Sequence, residues 1–175
     1  MNSPSADSGP ARLVAEASGG SHEAFGSLYE RFARAVHGVL ITRVSPADAD
    51  DLVQDVFLHA WPRLGELREP EAFGGWICAI ARRRAIDHFR RAKPADELHD
   101  VHASRERPDV TAEAAAAVAA IQDLPEAYRE TLALRLVEGL SGPEIAAVTG
   151  LTPDSVRVNL HRGFKLLRER LGVTP

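Results

Sequence analysis

The chain has 175 residues, 45% of them hydrophobic, and a formal net charge of −4. This is enough for one medium or two small domains with real cores, and any nucleic-acid surface must be local because the molecule as a whole is not basic. The single cysteine, Cys78, excludes an intramolecular disulfide, and its apolar helical setting points to a buried thiol rather than a nucleophile or ligand. No signal peptide or membrane span is visible. The longest apolar run, residues 114–121, is mostly alanine and too short to cross a bilayer, so a soluble intracellular protein with no direct membrane insertion is expected.

Residues 1–20 are rich in Ser, Ala, Gly and Pro and are expected to form a disordered N-terminal tail. Helical periodicity starts at Ser21 and runs to Val44, with Phe25, Leu28, Phe32, Val36, Val39 and Leu40 on one stripe. Ser45 and Pro46 then cap and open a second helix whose apolar positions are Leu52, Val53, Val56, Phe57 and Ala60. A polar connection, Arg63 to Pro70, leads to a third helix from about Glu71 to Arg91, with Phe73, Trp76, Ile77, Ile80, Ala81 and Ile86 towards the core. Helical position assigns Trp76 to packing. No stretch alternates at period two, so residues 21–92 read as a three-helix bundle within an all-α protein.

Charge along this bundle falls into blocks. Its second helix is acidic, with Asp48, Asp50, Asp51 and Asp55. The end of its third is basic, with Arg82, Arg83, Arg84, Arg90, Arg91 and Lys93 against Asp87. The basic end suits a phosphate backbone and the acidic helix a basic protein surface. Residues 93–108 lack periodicity and read as a flexible linker, leaving the spacing of the flanking domains unfixed.

Residues 109–175 read as four helices. An alanine-rich helix, Asp109 to Asp123, carries Val110, Ala114, Ala117, Val118 and Ile121 along one side. Leu124-Pro125 breaks it, and a helix from Glu126 to Glu138 follows, with Tyr128, Leu132, Leu136 and Val137 inward and Gly139 at its end. Ser141 and Glu144 form a capping box, Gly150 supplies a turn, and Thr152 caps a last helix opened by Pro153. Ala146, Gly150 and Val156 have helix-turn-helix spacing. In the last helix Val156, Leu160, Phe164, Leu167 and Leu171 share the core face. Residues 153–171 hold five Lys/Arg against two Asp/Glu, so the opposite face fits a DNA major groove.

Metal chemistry is a weaker reading. His99 and His102 could be half a site, and Asp51, Asp55 and His59 lie four apart on one helical face, with His37 or His88 as further candidates. No matching ligand pair stands on another helix, so no metal, cofactor or enzymatic activity is expected. A stand-alone helix-turn-helix regulator would share the C-terminal motif, but its first domain should resemble a sensor.

Three blocks, DADDLVQDVFLHAW, FGGWICAIARRRAIDHFRR and LPEAYRETLALRLVEGLSGPEIAAVTGLTPDSVRVNLHRGFKLLRERL, together resemble a bacterial RNA polymerase sigma factor of the extracytoplasmic-function group of the sigma-70 family. The likeness spans about Glu23 to Leu171 and implies region 2 in the first domain and region 4 in the second. It implies that Asp51, Gln54 and Asp55 dock on the beta-prime clamp helices of core RNA polymerase, with the beta subunit a further contact. It implies that the Arg63–Pro70 connection and the start of the third helix trap a flipped base of the promoter −10 element, with Arg82, Arg83, Arg84, Arg90 and Arg91 holding the strand. Arg157, Val158, Asn159, His161, Arg162 and Lys165 would read the −35 element. Asn159 stands where the family often has arginine, so an unusual −35 sequence is expected. The partners so implied are core polymerase, promoter DNA and an anti-sigma factor.

Overall fold

The computed structural model describes residues 9–92 and 112–172. Among the described residues all regular structure is helical. The first unit contains α1 (Pro10–Ser18), α2 (His22–Leu40), α3 (Pro46–Ala60), two 3-10 segments (Trp61–Glu66 and Pro70–Ala72) and α4 (Phe73–Ala92). The second contains α5 (Ala112–Gln122), α6 (Glu126–Leu136), α7 (Gly142–Thr149) and α8 (Pro153–Leu171). The expected linker, with His99 and His102, lies outside the described residues.

The tail expected to be disordered is ordered from Pro10 to Ser18. Proline opens α1, and Leu13, Val14 and Ala17 on one face are buried against α2 and the 3-10 segments. The Ser/Gly/Pro-rich surroundings hid a nine-residue stretch of good helix formers that is too short to be stable alone and is held by burial of its apolar face. In the first core, Leu28, Val36, Val56, Phe73 and Ile77 are essentially inaccessible, and Phe32 meets the Phe73 ring edge-on at 5.0 Å between centroids. Cys78 is buried there, and desolvation pushes its thiol up to about 12. It should therefore resist iodoacetamide at pH 8 in the folded protein and react only on unfolding, which mass spectrometry would read.

Caps fix the remaining boundaries. Ser21, Ser45 and Thr152 each accept a backbone N–H three residues on. Ser141 and Glu144 make the reciprocal capping box, and Gly150 ends α7 with φ +75, where a Cβ would be strained. Hydrogen bonds from the Ser141 hydroxyl and then its backbone N–H hold the Glu144 carboxyl below its usual range. A lowered folded-state value contributes stability above the unfolded pKa of about 4.3 and loses it as pH falls further. Ser141→Ala should cost about 1 kcal/mol at pH 7, with the gap to wild type narrowing below about pH 4 in melting experiments.

The two units are not held apart. α6 packs on α2, and α7 on α4. Gly38 permits this approach: a Cβ there would lie 2.8 Å from both Glu138 Cγ and Leu134 Cδ2. Across the same seam His37 Nδ1 lies 2.6 Å from a Glu138 carboxylate oxygen, and the Arg34 guanidinium donates to the Glu138 carbonyl. Gln122 donates from α5 to the carbonyls of Ile41 and Val44 at 2.7 and 3.0 Å, satisfying the end of α2. A domain separation left open by the linker is thus replaced by direct docking.

Several residues assigned to the core lie outside it. Ile86, Leu136, Val137 and Leu171 are 49%, 48%, 39% and 49% exposed, and Ala114 and Ala117 are also exposed. α6 stops at Leu136, two residues early, so Leu136 and Val137 sit where the backbone leaves the helix and the stripe no longer points inward. α4 begins at Phe73 rather than Glu71, because Pro70 opens a separate 3-10 turn.

Candidate nucleic-acid interface

Between the end of α3, the first 3-10 segment and α4 lies a cleft of about 420 Å³, lined by His59, Arg63, Glu66, Trp76, Ile80, Arg83, Arg84 and Asp87. That is within the ~300–1,000 Å³ of small-ligand sites. Pro62 turns the chain out of α3 into a 3-10 path, and Arg63 donates back to the His59 carbonyl at 2.8 Å. Trp61 is clamped by Phe25 (edge-on, 4.3 Å) and stacked on His22 (4.9 Å), which fixes where the 3-10 segment starts. Trp76 packs against Phe73 on one side and lines the cleft on the other.

The cleft is cationic and incompletely satisfied. Partial burial, then Arg63, Arg84 and Arg83 in turn, hold the His59 imidazole below its usual range, with Glu66 opposing. Arg84 Nε is buried with no hydrogen-bond partner among the described residues. A donor left in that state costs free energy unless an acceptor arrives. Three guanidiniums, a neutral imidazole and an indole suit one nucleotide: phosphate on the arginines, base against the aromatic wall.

Not all the expected −10 residues meet here. Arg83 and Arg84 line the cleft; Arg90 and Arg91 are exposed further along α4. Arg82 turns away into the seam between the units, where its guanidinium grips Glu130 of α6 at 3.0 Å (Nε) and 2.5 Å (Nη2). The hydrogen bond to Glu130 raises the Arg82 pKa further above its ordinary value. Helical rotation explains the split, since neighbouring residues are about 100° apart around the axis.

On α8, Arg157, Val158, His161, Arg162 and Lys165 are exposed. Arg157 lies 3.2 Å from Asp154, an exposed pair that DNA could readily displace. Asn159 differs. It is half-buried, and its side-chain amide donates to the Ala127 carbonyl at 3.1 Å, so it ties α8 to α6 instead of facing outward with the others.

On α3, Asp51, Gln54 and Asp55 share one exposed face, and Asp51 and Asp55 form no ion pair among the described residues. Asp48 and Asp50 are engaged instead, near His88 (3.6 Å) and His37 (3.5 Å). The sequence reading missed Leu58, one turn on from Asp55 and 72% exposed. The signal was present: Leu58 is the large apolar residue of α3 that falls outside the stripe of Leu52, Val53, Val56, Phe57 and Ala60. Among the described residues no group of three or more His, Cys, Asp or Glu could hold a metal ion, and no helix is long and apolar enough to cross a membrane.

The family model for sigma-70 region 2 matches residues 28–94, and that for sigma-70 region 4 matches residues 114–167. RNA polymerase sigma factor CarQ of Myxococcus xanthus is 35% identical over 164 residues, covering 87% of this chain and 92% of its own. ECF RNA polymerase sigma factor BldN of Streptomyces coelicolor is 32% identical over 182 residues, covering 96% and 69%. Among solved structures, CnrH in complex with the cytosolic domain of CnrY aligns with a TM-score of 0.67 at 28% identity, over 95% of this chain and 99% of that one. The chain therefore belongs to the extracytoplasmic-function group of RNA polymerase sigma factors, initiation factors that direct the polymerase to promoters.

Proposed function

We propose that this sigma factor docks on core polymerase through Asp51, Gln54, Asp55 and Leu58, and reads promoters with two separate surfaces. The cleft beside Trp76 takes an unstacked nucleotide of the −10 element, with Arg63, Arg83 and Arg84 on its phosphates. The exposed face of α8 enters the major groove at the −35 element through Arg157, Val158, His161, Arg162 and Lys165. The −10 part of this reading is supported by Arg84 Nε, which is buried without a hydrogen-bond partner among the described residues beside a cleft with room for one nucleotide.

Bond making belongs to the polymerase, in the cytoplasm; this chain supplies the address and holds the opened strand. Elements roughly 25 base pairs apart are about 85 Å apart at ~3.4 Å per pair. A compact chain of this length has a radius of gyration of about 16 Å, so the docked units must part before both elements are bound. An anti-sigma factor is the third partner, a reading supported by the solved complex of CnrH with the cytosolic domain of CnrY.

Promoter-by-variant transcription tests the assignment. Arg84→Ala should lower open-complex formation about tenfold while leaving −35 protection intact. Arg162→Ala should lower promoter affinity about tenfold and reduce its salt slope by about one. Equal loss in both variants at every step would remove the division of labour.

A further inference from the structure

Glu130 of α6 is held by two arginines of the first unit. Arg82 approaches it with a two-pronged grip, and Arg43 Nη1 adds a contact at 3.4 Å. None of the three is freely solvated: the side chains of Glu130, Arg43 and Arg82 are 13%, 18% and 28% exposed. Arg43 is also fixed from its own side. Its Nη1 donates to the Thr42 hydroxyl at 2.7 Å and to the Val39 carbonyl at 3.2 Å, neither of which belongs to the second unit. Withdrawal of α6 would leave two partly desolvated guanidiniums, one of them still held in place, with no anion between them.

A planar fork on a carboxylate is the geometry by which arginine also grips phosphate, at similar distances. Arg82 further belongs to a helix whose other arginines are exposed or line the nucleotide cleft. We propose that Arg43 and Arg82 form a phosphate-binding site of region 2, and that Glu130 of region 4 occupies it in the closed protein as an intramolecular substitute for the nucleic-acid backbone. Interdomain docking and single-stranded DNA then compete for the same two cations. The closed chain is restrained from binding promoter DNA on its own, and separation of the units exposes a site for the strand. The inference rests on the −10 reading above for its ligand, but its test needs neither polymerase nor promoter.

The test measures two quantities on the full chain: the radius of gyration by small-angle scattering, and the affinity for a fluorescent single-stranded DNA oligonucleotide by anisotropy across a salt series. Glu130→Ala should enlarge the radius, tighten oligonucleotide binding at least tenfold, and steepen the salt dependence by about 0.7–1.4 units, as expected for one or two added phosphate contacts on a single strand. Adding Arg43→Ala and Arg82→Ala should abolish the gain while the chain stays expanded. Glu130→Gln, close to the native shape, guards against misfolding and should move both readouts in the same direction. An expanded Glu130→Ala chain with unchanged affinity would show that the contact is only a structural latch and overturn the proposal. Unchanged radius and unchanged affinity would overturn it too. Failure here leaves the cleft assignment standing, since that is judged by open-complex formation with polymerase.

Discussion

Asp51→Lys combined with Asp55→Lys should raise the dissociation constant for core RNA polymerase at least a hundredfold, with little change in melting temperature. Both carboxylates are exposed and unpaired among the described residues, so the fold does not depend on them. They flank Gln54 and precede the 72%-exposed Leu58, giving an acidic face with one apolar anchor. Complementary charge steers encounter, and reversing it sets like charges together at a cost of several kcal/mol. A hundredfold loss corresponds to about 2.7 kcal/mol, within that range. Leu58→Ala alone should act mainly on the dissociation rate, as loss of a desolvated anchor does. Biosensor measurements on immobilised core enzyme separate the two effects, and full binding by the double lysine variant would move the docking surface elsewhere.

Gly38→Val is the second large effect. Within α2 the change favours the helix, since glycine is one of the poorest helix formers. Across the seam it does the opposite: the first added carbon would already lie 2.8 Å from Glu138 Cγ and Leu134 Cδ2, before either methyl is placed. Overpacking of this kind costs about 1–3 kcal/mol, here concentrated on the docking of the two units. The variant should expand in scattering, lose hydrogen-exchange protection along α6 more than inside α2, and bring Arg82 out of its pairing with Glu130. A compact chain with native protection would show that the seam yields without parting.

The parts of this architecture carried by local rules were legible in the sequence. Ser45, Ser141, Gly150 and Thr152 mark helix boundaries through caps and a left-handed turn, which need only neighbours along the chain. The core stripes of α2 and α3 follow the same way from periodicity. What was not legible depends on distant partners. Gly38 reads as an unremarkable helical glycine until α6 is laid against it. Arg82 reads as one of a basic run, and only the position of Glu130 separates it from Arg83 and Arg84. Asn159 has the composition of a base reader, yet the Ala127 carbonyl claims its amide. α1 is built of good helix formers but is too short to hold on propensity alone, and the burial against α2 and the 3-10 segments that holds it lies outside its own nine residues. The cleft was half legible: its connection and Arg83 and Arg84 were singled out, but that His59 of α3 and Asp87 of α4 line it with them depends on how α3 packs on α4.

The most direct measurement is reconstituted transcription: purified protein, core RNA polymerase and fragmented genomic DNA from the same organism, with the 5′ ends of the transcripts sequenced. New start sites sharing two upstream elements, both lost with the Asp51/Asp55 lysine variant, are the expected result. Absence of new starts while the protein alone still shifts duplex DNA would contradict the account and indicate a regulator acting without the polymerase.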